Sequence, residues 1–352
     1  MKVFCYFVEP SSYTVDLVEN VYLKLKIPFI FIKDRSIARS TKDIKCYSFL
    51  SHFYLLKRIK FIFDICRNHD LIIINGYNNY VFILTFFYNM LLIKKKYIAI
   101  ESDTQLRVPS NFIKRFLKWS YLNFIFRRSY VLGFSGGTKT HKDLFRYYGM
   151  NENRIFLMPM LVDNKRFLKN TNTKQIPFIF LYVGRIVKRK NVEALIQCFI
   201  SKFSNEHAEL HIVGDGVELE AIKNKYIHHN INYRGELFGD DLVRVFHRAS
   251  VFVLPSLVEP WGLVVNEALS SGLPVIIRKE VGAAFDLLYN RNTGYIVSNN
   301  KEMADRMLTL YRDPKLRAKF SSNAVKLMQN HWNYDLYLSC LNNVIEMFHG
   351  NK

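Results

Sequence analysis

The run EPWGLVVNE, from Glu259 to Glu267, is the stretch that best indicates the fold of this chain. The strand-like VFVLP (Val251–Pro255) precedes it, and a helix-like segment that ends at Gly272 follows it. Pro260 near the helix start and a glycine just past its end are typical of a real helix. The first turn of such a helix carries unpaired backbone N–H groups and the positive end of the helix dipole, which together suit a phosphate.

The same run places two carboxylates on either side of that helix start. Glu259 precedes the turn, and Glu267 lies about two turns further along. Carboxylates accept hydrogen bonds from hydroxyl groups. A polyol on either side of a diphosphate would match this arrangement, so the ligand that the run predicts is a nucleotide sugar.

Strand-like apolar runs alternate with segments of helical period along the chain, which predicts parallel sheets with crossover helices. The length of 352 residues is sufficient for two domains. We expect an α/β protein of two Rossmann-like, doubly wound domains that face each other across a cleft and bind ligands at the carboxyl ends of their strands. The predicted strands are KVFCYFV, FIFIK, LIIIN, YIAIE and YVLGFS in the first half, and FIFLYVG, ELHIVG, INYRG, VFVLP, PVII and GYIV in the second.

The domain boundaries follow from composition. The stretch between Asp163 and Pro177 is polar and without a firm period, so it is interpreted as a linker. The predicted domains are residues 1–165 and residues 166–331. A last amphipathic helix, 332–350, is expected to pack back on the first domain.

Two further strand ends carry polar motifs. FIFLYVGRIVKRKN places Gly184 and Arg185 after a strand and Lys190 near a helix start, so the two cations either converge on a diphosphate or are simply solvated. Lys188 and Arg189, between them, are expected to be exposed. HIVGDGVELE places Gly214 and Gly216 after another strand, either approaching a nucleotide or forming a helix entry without a ligand; the full GxGxxG is absent, which disfavours NAD.

Cysteine usage and hydropathy favour a cytoplasmic protein. The five cysteines are scattered without CxxC or Cys/His spacing, so we expect reduced thiols and no metal site. The N-terminal apolar run is too short for a signal peptide. The uncharged stretch from Leu71 to Ile93 is divided by a turn-like cluster that begins at Asn75, which predicts a strand and a helix rather than a membrane span.

The positive charge is concentrated in the first half. The net charge is +20, and residues 1–168 hold 27 Lys and Arg against 12 Asp and Glu. This asymmetry indicates an anionic partner. Residues 110–128, SNFIKRFLKWSYLNFIFRR, are predicted to form a helix that is either an ordinary core helix or a surface helix on an anionic membrane, with Lys114, Arg115 and Lys118 opposite Phe112, Ile113, Phe116 and Trp119.

These residues together resemble glycosyltransferase family 4, the retaining enzymes of the GT-B architecture. The resemblance is dense over residues 130–300 and thin over residues 1–130. It is carried by YVGRIVKRKNVEALIQCF, LHIVGDGVELE, the E-x7-E run, EALSSGLPVIIRKEVGAAFDLL, NTGYIV and, upstream, GFSGGTKTHKDLFRYYGMNENRIFLMPMLVD.

The resemblance implies roles for particular residues on the donor side. Arg185 and Lys190 would hold the donor diphosphate, Glu259 would contact the sugar hydroxyls, and Glu267 would contact the ribose. The remaining implied donor-binding residues are Gly184, Gly214, Gly216, Gly235, Glu236, Leu237, Gly262, Leu263 and Val264.

The acceptor side is less defined. Family members often carry a histidine at the end of the fourth strand of the first domain, where this chain has Glu101, Ser102 and Asp103. Glu101 or Asp103 would accept the proton of the acceptor hydroxyl, bind sugar hydroxyls, or cap the next helix. The loop after the first strand is expected to border the acceptor through Pro10, Ser11, Ser12 and Tyr13.

The function that these features imply is sugar transfer from a UDP- or GDP-sugar to a glycan or lipid-linked acceptor in bacterial surface polysaccharide synthesis. The enzyme would need no metal or other cofactor and would lie in the cytoplasm, peripheral on the inner face of the cell membrane. Alternatives are a nucleotide-sugar epimerase or a phosphorylase of the same architecture. A basic nucleic-acid-binding protein is a remote alternative, because no recognised RNA or DNA module is present.

Overall fold

The structure is a computed structural model that describes residues 1–34, 47–169, 177–204 and 206–349. The chain divides into two compact units. The first unit comprises Met1–Met160 and Tyr334–Lys352, and the second comprises Leu161–Asn333. We describe each unit by itself.

The first unit contains a six-stranded sheet in which all neighbouring strands are parallel, in the order β2-β1-β3-β4-β5-β6. Its strands are β1 (Val3–Phe7), β2 (Phe29–Phe31), β3 (Leu71–Asn75), β4 (Tyr97–Ser102), β5 (Val131–Ser135) and β6 (Ile155–Leu157). Its helices are α1 (Ser12–Leu17), α2 (Leu55–Asn68), α3 (Tyr80–Leu91), α4 (Phe112–Phe126), α5 (Thr140–Tyr147) and the last helix of the chain, α13 (Tyr334–His349).

Helices cover both faces of this sheet, because alternate strand side chains point to opposite sides. Phe4 and Tyr6 share one buried cluster with residues of α2, α3, α4 and α5. On the other side, α13 packs against β6 and against a π-helical segment, Val18–Tyr22, that continues α1. Both helical layers bury apolar side chains against near-continuous apolar strands, the pattern expected of a parallel sheet.

The second unit has the same architecture, with strand order β12-β11-β10-β7-β8-β9. Its strands are β7 (Phe178–Val183), β8 (Ala208–Val213), β9 (Ile231–Tyr233), β10 (Val251–Leu254), β11 (Val275–Arg278) and β12 (Gly294–Val297). Its helices are α6 (Asn164–Phe167), α7 (Val192–Phe203), α8 (Leu219–Lys225), α9 (Gly239–Arg248), α10 (Leu263–Ser270), α11 (Asn300–Arg312) and α12 (Pro314–Asn330).

Each sheet contains one point where the chain reverses the direction in which it adds strands. In the first unit this point lies between β1 and β3, and in the second it lies between β7 and β10. In open α/β sheets, ligands bind outside the carboxyl ends of the strands at such a point. The loops after β1, β3, β7 and β10 are therefore the places where the fold favours a site.

The predicted doubly wound α/β fold is confirmed in both units, and all eleven predicted strands are present. The sequence did not predict β6, a strand of only three residues, Ile155–Leu157. The apolar stretch from Leu71 to Ile93 forms β3 and α3, as expected. Across the described residues, no helix combines the length and apolar character needed to cross a membrane. The predicted linker begins with the short helix α6, and residues 170–176 lie outside the described residues.

Candidate functional site

Lys190 and Glu259 form a buried ion pair between the loops that follow β7 and β10. Lys190 ends the single 3-10 turn Lys188–Lys190 that leads into α7, and Glu259 lies in the loop before α10. The Lys190 ammonium donates to Glu259 Oε2, and each of the two side chains is only 11% exposed. Ser256 Oγ donates to the same oxygen at 3.4 Å. Because β7 and β10 flank the reversal point of this sheet, the pair marks the expected ligand position in the second unit.

Backbone hydrogen bonds fix these two loops to each other. The Leu257 N–H donates to the Arg189 carbonyl at 2.9 Å, and the Arg189 guanidinium donates to the Val258 carbonyl at 3.3 Å. The Asn191 side-chain amide donates to the Pro255 carbonyl at 3.3 Å. The expectation that Arg189 is exposed is therefore wrong: its side chain is partly buried because it serves this junction.

Arg185 lies on the same loop as Lys190 but differs from it in environment. Its side chain is exposed, whereas its carbonyl accepts a hydrogen bond from the buried Tyr182 hydroxyl at 2.8 Å. Burial raises the pKa of Tyr182, and the nearby Glu259 carboxylate raises it further. Tyr182 is thus a neutral donor that fixes the backbone of Arg185, while the guanidinium is accessible to an anionic ligand.

The glycines after β7 and β8 allow two backbone segments to lie in contact. A Cβ atom at Gly214 would lie 2.0 Å from the Gly184 carbonyl oxygen, and one at Gly216 would lie 2.2 Å from the Ile186 carbonyl oxygen. The Gly184 N–H donates to the Val213 carbonyl at 3.0 Å. This close approach explains both glycines by packing alone, so they are compatible with a nucleotide but do not by themselves require one.

Gly235, Glu236 and Leu237, which the resemblance implies for donor binding, follow β9. The Gly235 carbonyl accepts a hydrogen bond from the Gly214 N–H at 2.7 Å. Glu236 is exposed and Leu237 is partly buried. The three residues therefore lie beside the glycine loop of β8, at the same carboxyl edge of the sheet as Lys190.

The start of α10 is tied to the Glu259 loop by Gly262. Gly262 has a φ of 95°, and a Cβ atom there would lie 3.1 Å from Glu259 Cγ. Leu263 and Val264 form the first turn, whose N–H groups have no partner within the helix because of helix geometry. The buried Trp261 donates through Nε1 to the Asn266 side chain at 2.8 Å, which holds the turn in place.

Glu267 lies further along the same helix, and its side chain is partly exposed. The helix ends as predicted, with Gly272 at a φ of 73° and the Leu273 N–H donating to the Ala268 carbonyl at 3.0 Å. The run Glu259–Glu267 thus contains a loop carboxylate, a helix start and a second carboxylate within one short segment.

In the first unit, Glu101 at the end of β4 is held by residues of its own unit. Its Oε2 accepts from the Asn75 amide at 2.6 Å, and its Oε1 accepts from the Tyr337 hydroxyl of α13 at 2.7 Å. The Tyr337 hydroxyl lies 3.1 Å from that of Tyr22. Burial raises the pKa of Glu101, Asp103 adds to the rise, and the two hydrogen bonds oppose it. Both carboxylate oxygens therefore serve to join β3, β4 and α13.

Asp103 lies near the loop that follows β1. Burial raises the pKa of the Tyr13 phenol, and the negative charge of Asp103 is the next largest cause. Pro10 is buried, Ser11 and Ser12 are partly buried, and Tyr13 as a residue is 37% exposed. The Ser11 N–H donates to Thr14 Oγ1 at 2.8 Å, which fixes the start of α1. Tyr13 and Asp103 thus follow β1 and β4 at the carboxyl edge of the first sheet, near enough for the charge of Asp103 to affect the Tyr13 phenol.

Four residues that hydrogen-bond to the predicted site residues were not predicted from the sequence. They are Ser256 and Tyr182 in the second unit, and Asn75 and Tyr337 in the first. Tyr337 lies 236 residues from Glu101 along the chain, so no local pattern connects them. The sequence indicates Asn75 only as the start of a turn-like cluster. Among the described residues, no cluster of three or more His, Cys, Asp or Glu side chains is placed to hold a metal ion.

A protein-family model matches most of the second unit. Residues 163–327 match the model of the family described as glycosyl transferases group 1. That range contains every strand of the second sheet and both members of the Lys190–Glu259 pair.

Two curated relatives are similar to about half of this chain. The chain is 26% identical to N-acetyl-alpha-D-glucosaminyl L-malate synthase of Bacillus anthracis over 192 residues, which are 53% of this chain and 49% of that protein. It is 30% identical to the capsular polysaccharide biosynthesis glycosyltransferase CapM of Staphylococcus aureus over 179 residues, which are 49% of this chain and 46% of that protein. The chain thus spans about half the length of the curated relatives that it matches.

A solved structure matches over a longer range. Anabaena HepE, in complex with UDP, has a TM-score of 0.79 to this chain at 14% identity, over 99% of this chain and all of the other. A second structure of HepE contains UDP and glucose. At this level of identity the likeness shows the fold, which is that of the GT-B glycosyltransferase structures. Residues 163–327 are therefore similar to the glycosyl transferases of group 1.

Proposed function

We propose that the protein is a retaining glycosyltransferase that moves a sugar from a UDP- or GDP-sugar to a glycan or lipid-linked glycan of the bacterial surface, as in lipopolysaccharide or capsule biosynthesis. The observation that carries this proposal is the buried Lys190–Glu259 pair, which lies at the reversal point of the sheet within a group 1 domain. Names and ligands of similar proteins, CapM and HepE, favour the same class of reaction.

The donor is proposed to lie at the carboxyl edge of the second sheet. The diphosphate would contact Arg185, Lys190 and the first amides of α10, where positive charge and N–H groups come together. Glu259 would accept hydrogen bonds from sugar hydroxyls, and Glu267 would contact the ribose. The pairing of Lys190 with Glu259 couples diphosphate binding to sugar binding, because one ligand would share both partners.

The catalytic contribution of these groups is electrostatic. Departure of the nucleoside diphosphate builds negative charge on its oxygens, and fixed cations and amides stabilise that charge most strongly in the transition state. Loss of one such contact costs about 3 kcal/mol, or roughly a hundredfold in rate. Since Arg185 and Lys190 supply the charge, we propose a reaction that is independent of metal ions.

We propose attack from the same face of the sugar that the diphosphate leaves. A double displacement would require a carboxylate nucleophile beneath the anomeric carbon. The carboxylate of Glu259 is already bound to Lys190 and Ser256. The departing phosphate is instead proposed to assist the deprotonation of the acceptor hydroxyl.

The acceptor is proposed to lie at the carboxyl edge of the first sheet, beside Tyr13 and Asp103. An aromatic ring next to a carboxylate offers a sugar both an apolar surface and a hydrogen-bond acceptor. We propose a cytoplasmic enzyme attached peripherally to the inner face of the cell membrane, since residues 1–168 are strongly basic and a lipid-linked acceptor would be found there.

The decisive experiment is an incubation of the purified protein with a panel of UDP- and GDP-sugars, with and without glycan acceptors. We expect one donor to release its free nucleoside diphosphate with retention at the anomeric centre, and EDTA to leave the rate unchanged. An epimerised sugar nucleotide, or a sugar 1-phosphate formed from inorganic phosphate, would overturn the proposal in favour of an epimerase or a phosphorylase.

Variants of neighbouring cations make the assay specific to the site. We expect Arg185→Ala to lower kcat/KM about a hundredfold. Lys188→Ala is the matched control, because it removes an exposed cation from the same loop and should leave the rate within about twofold. Equal effects of the two substitutions would contradict the proposed diphosphate contact.

A further inference from the structure

Helix α3 exposes an apolar stripe on the side opposite to its core. It contains no charged residue, and Val81, Phe82 and Phe86 are buried against the sheet. Ile83, Phe87 and Leu91 follow one another at a spacing of four residues, so they lie on one face of the helix. Leu91 is 81% exposed and Phe87 is 54% exposed. A typical surface helix carries polar residues at such positions.

The first half of α4 is exposed on all sides. Its buried residues are Leu122, Ile125 and Phe126, all in the second half. Phe112 is 68% exposed and Phe116 is 57% exposed, and Ile113, Leu117 and Trp119 are exposed as well. The interpretation of this segment as an ordinary core helix is therefore wrong for its first half, since the large apolar side chains there have no core to enter.

The two helices are neighbours in one layer of the first unit. The Phe86 and Phe124 rings lie 5.8 Å apart, and the Tyr121 hydroxyl donates to the Tyr77 carbonyl just before α3 at 2.7 Å. Both helices contribute to the same buried cluster beneath them. Their exposed side chains thus belong to one side of the unit, which we call the aromatic face: Ile83, Phe87, Leu91, Phe112, Ile113, Phe116, Leu117 and Trp119.

The segment of the chain that carries the aromatic face is strongly basic. Between residues 54 and 130 the chain has thirteen Lys and Arg and only four acidic residues, which are Asp64, Asp70, Glu101 and Asp103. Of these, Glu101 accepts hydrogen bonds from Asn75 and Tyr337, and Asp70 accepts one from the Lys2 N–H at 2.9 Å. An apolar surface bordered by cations is complementary to an anionic lipid surface, which offers phosphates outside and acyl chains beneath.

We propose that the aromatic face is a membrane-docking surface, on which α3 and α4 lie in the plane of an anionic bilayer and insert their exposed aromatic and aliphatic side chains. This inference rests on the proposed peripheral attachment. It adds the surface that contacts the membrane and a binding mode that is apolar as well as electrostatic. A second copy of the chain is a poorer occupant, because a symmetric contact would bring the cations of both copies together.

Trp119 provides a direct test. The chain has three tryptophans, of which Trp261 and Trp332 are buried while Trp119 is 44% exposed. With vesicles of phosphatidylglycerol and phosphatidylcholine, we expect the emission to shift to the blue and Trp119 to become protected from iodide. Vesicles of phosphatidylcholine alone should produce neither effect, and Trp119→Phe should abolish the signal. An unchanged emission in the anionic vesicles would overturn the proposal.

Variants locate the contact. We expect Phe87→Ser with Phe116→Ser to lower the vesicle partition coefficient about tenfold or more, because each removes a side chain that would enter the acyl region. Ile227→Ser is the matched control, since Ile227 is 90% exposed but belongs to the second unit. An equal loss in the control would contradict the assignment of the face. High salt should weaken binding without abolishing it, whereas complete loss would leave only an electrostatic mode and refute insertion.

Two further readouts separate this inference from its alternatives. In sedimentation without vesicles, we expect no dimer that depends on Phe87 and Phe116. A dimer that Phe87→Ser with Phe116→Ser dissociates would assign the aromatic face to a second copy of the chain instead. The double variant should release nucleoside diphosphate at the normal rate with a soluble acceptor. If no donor is turned over by either protein, the proposed function fails while the docking result stands.

Discussion

The two units share one topology but hold their carboxylates in opposite ways. In the second unit, Glu259 is buried against a cation, Lys190, on the loop across the reversal point. In the first unit, Glu101 is held by the neutral donors Asn75 and Tyr337. A buried carboxylate that is held by neutral donors alone is costly to ionise. The same fold thus holds a buried ion pair beside the reversal point in one unit and an internal junction in the other.

The substitution with the largest expected effect on this comparison is Lys190→Ala. It leaves Glu259 as a buried carboxylate without its cation, so we expect unfolding free energy to fall by about 3–5 kcal/mol and donor turnover to be lost. Lys190→Ala with Glu259→Gln should recover part of the stability and none of the turnover. Chemical denaturation and the diphosphate-release assay measure the two quantities. A single variant as stable as the wild-type protein would show that the pair is not a structural unit.

The next effect concerns the backbone contact beside that pair. Gly214→Ala would place a Cβ atom 2.0 Å from the Gly184 carbonyl oxygen, so the loops after β7 and β8 must separate. We expect a loss of about 3 kcal/mol in unfolding free energy, together with weaker donor binding, by denaturation and calorimetry.

The control for that substitution is Gly235→Ala. A Cβ atom there meets no other atom within 4 Å, although the φ of 66° is unfavourable for alanine. Its cost should be only about 1 kcal/mol. If Gly235→Ala is the more damaging of the two, the close contact at Gly214 is not what requires glycine.

The contrast between the units also explains what the sequence could predict. The residues proposed to bind the donor follow their strands within contiguous motifs. Strand ends, glycines and helix signals were therefore sufficient to locate Arg185, Lys190, Glu259 and Gly262. The pairing of Lys190 with Glu259 could not be predicted, because it depends on β7 and β10 becoming neighbours although 67 residues lie between the end of β7 and the start of β10. Strand order is a tertiary property that local patterns do not encode.

In the first unit the sequence was less informative for a physical reason. Glu101 was identified by its position at a strand end, but its partner Tyr337 lies on the last helix of the chain. The periodicity of α4 was predicted correctly, yet amphipathic spacing alone does not distinguish a core helix from one with an unpartnered apolar side. Only the packing of Leu122, Ile125 and Phe126 shows where burial begins.

A smaller effect is expected from Tyr337→Phe. It removes the hydroxyl that donates to Glu101 and contacts Tyr22, so unfolding free energy should fall by about 1–2 kcal/mol at neutral pH. The hydrogen bond lowers the pKa of Glu101, and its loss matters most when the carboxylate is charged. The difference from the wild-type protein should therefore narrow as pH falls.

Tyr148→Phe is the matched control for Tyr337→Phe, because the buried Tyr148 hydroxyl has no hydrogen-bond partner among the described residues. Its removal should be neutral or slightly stabilising. Thermal unfolding at several pH values measures both variants. A Tyr337→Phe protein whose stability deficit is constant across pH would separate that hydroxyl from the titration of Glu101.

The smallest effect on stability is expected from Glu101→Gln, and it distinguishes an internal junction from a catalytic base. The pKa of Glu101 is raised, so its favourable contribution is present at low pH and is lost as pH rises through the folded-state pKa. The stability of the glutamine variant lacks this pH dependence. Its unfolding free energy should come nearest to that of the wild-type protein at neutral pH, within about 1 kcal/mol. Its amide can also donate to Asn75 Oδ1, a buried oxygen without a partner in the described structure, if the Asn75 amide turns. Because both carboxylate oxygens already bind residues of the unit, we expect kcat/KM to fall less than about tenfold. Asp103→Asn removes a charged hydrogen-bond acceptor from the proposed acceptor site and should lower kcat/KM about a hundredfold. The reverse order of these two losses, at unchanged stability, would make Glu101 the acceptor-side base and remove the difference between the units.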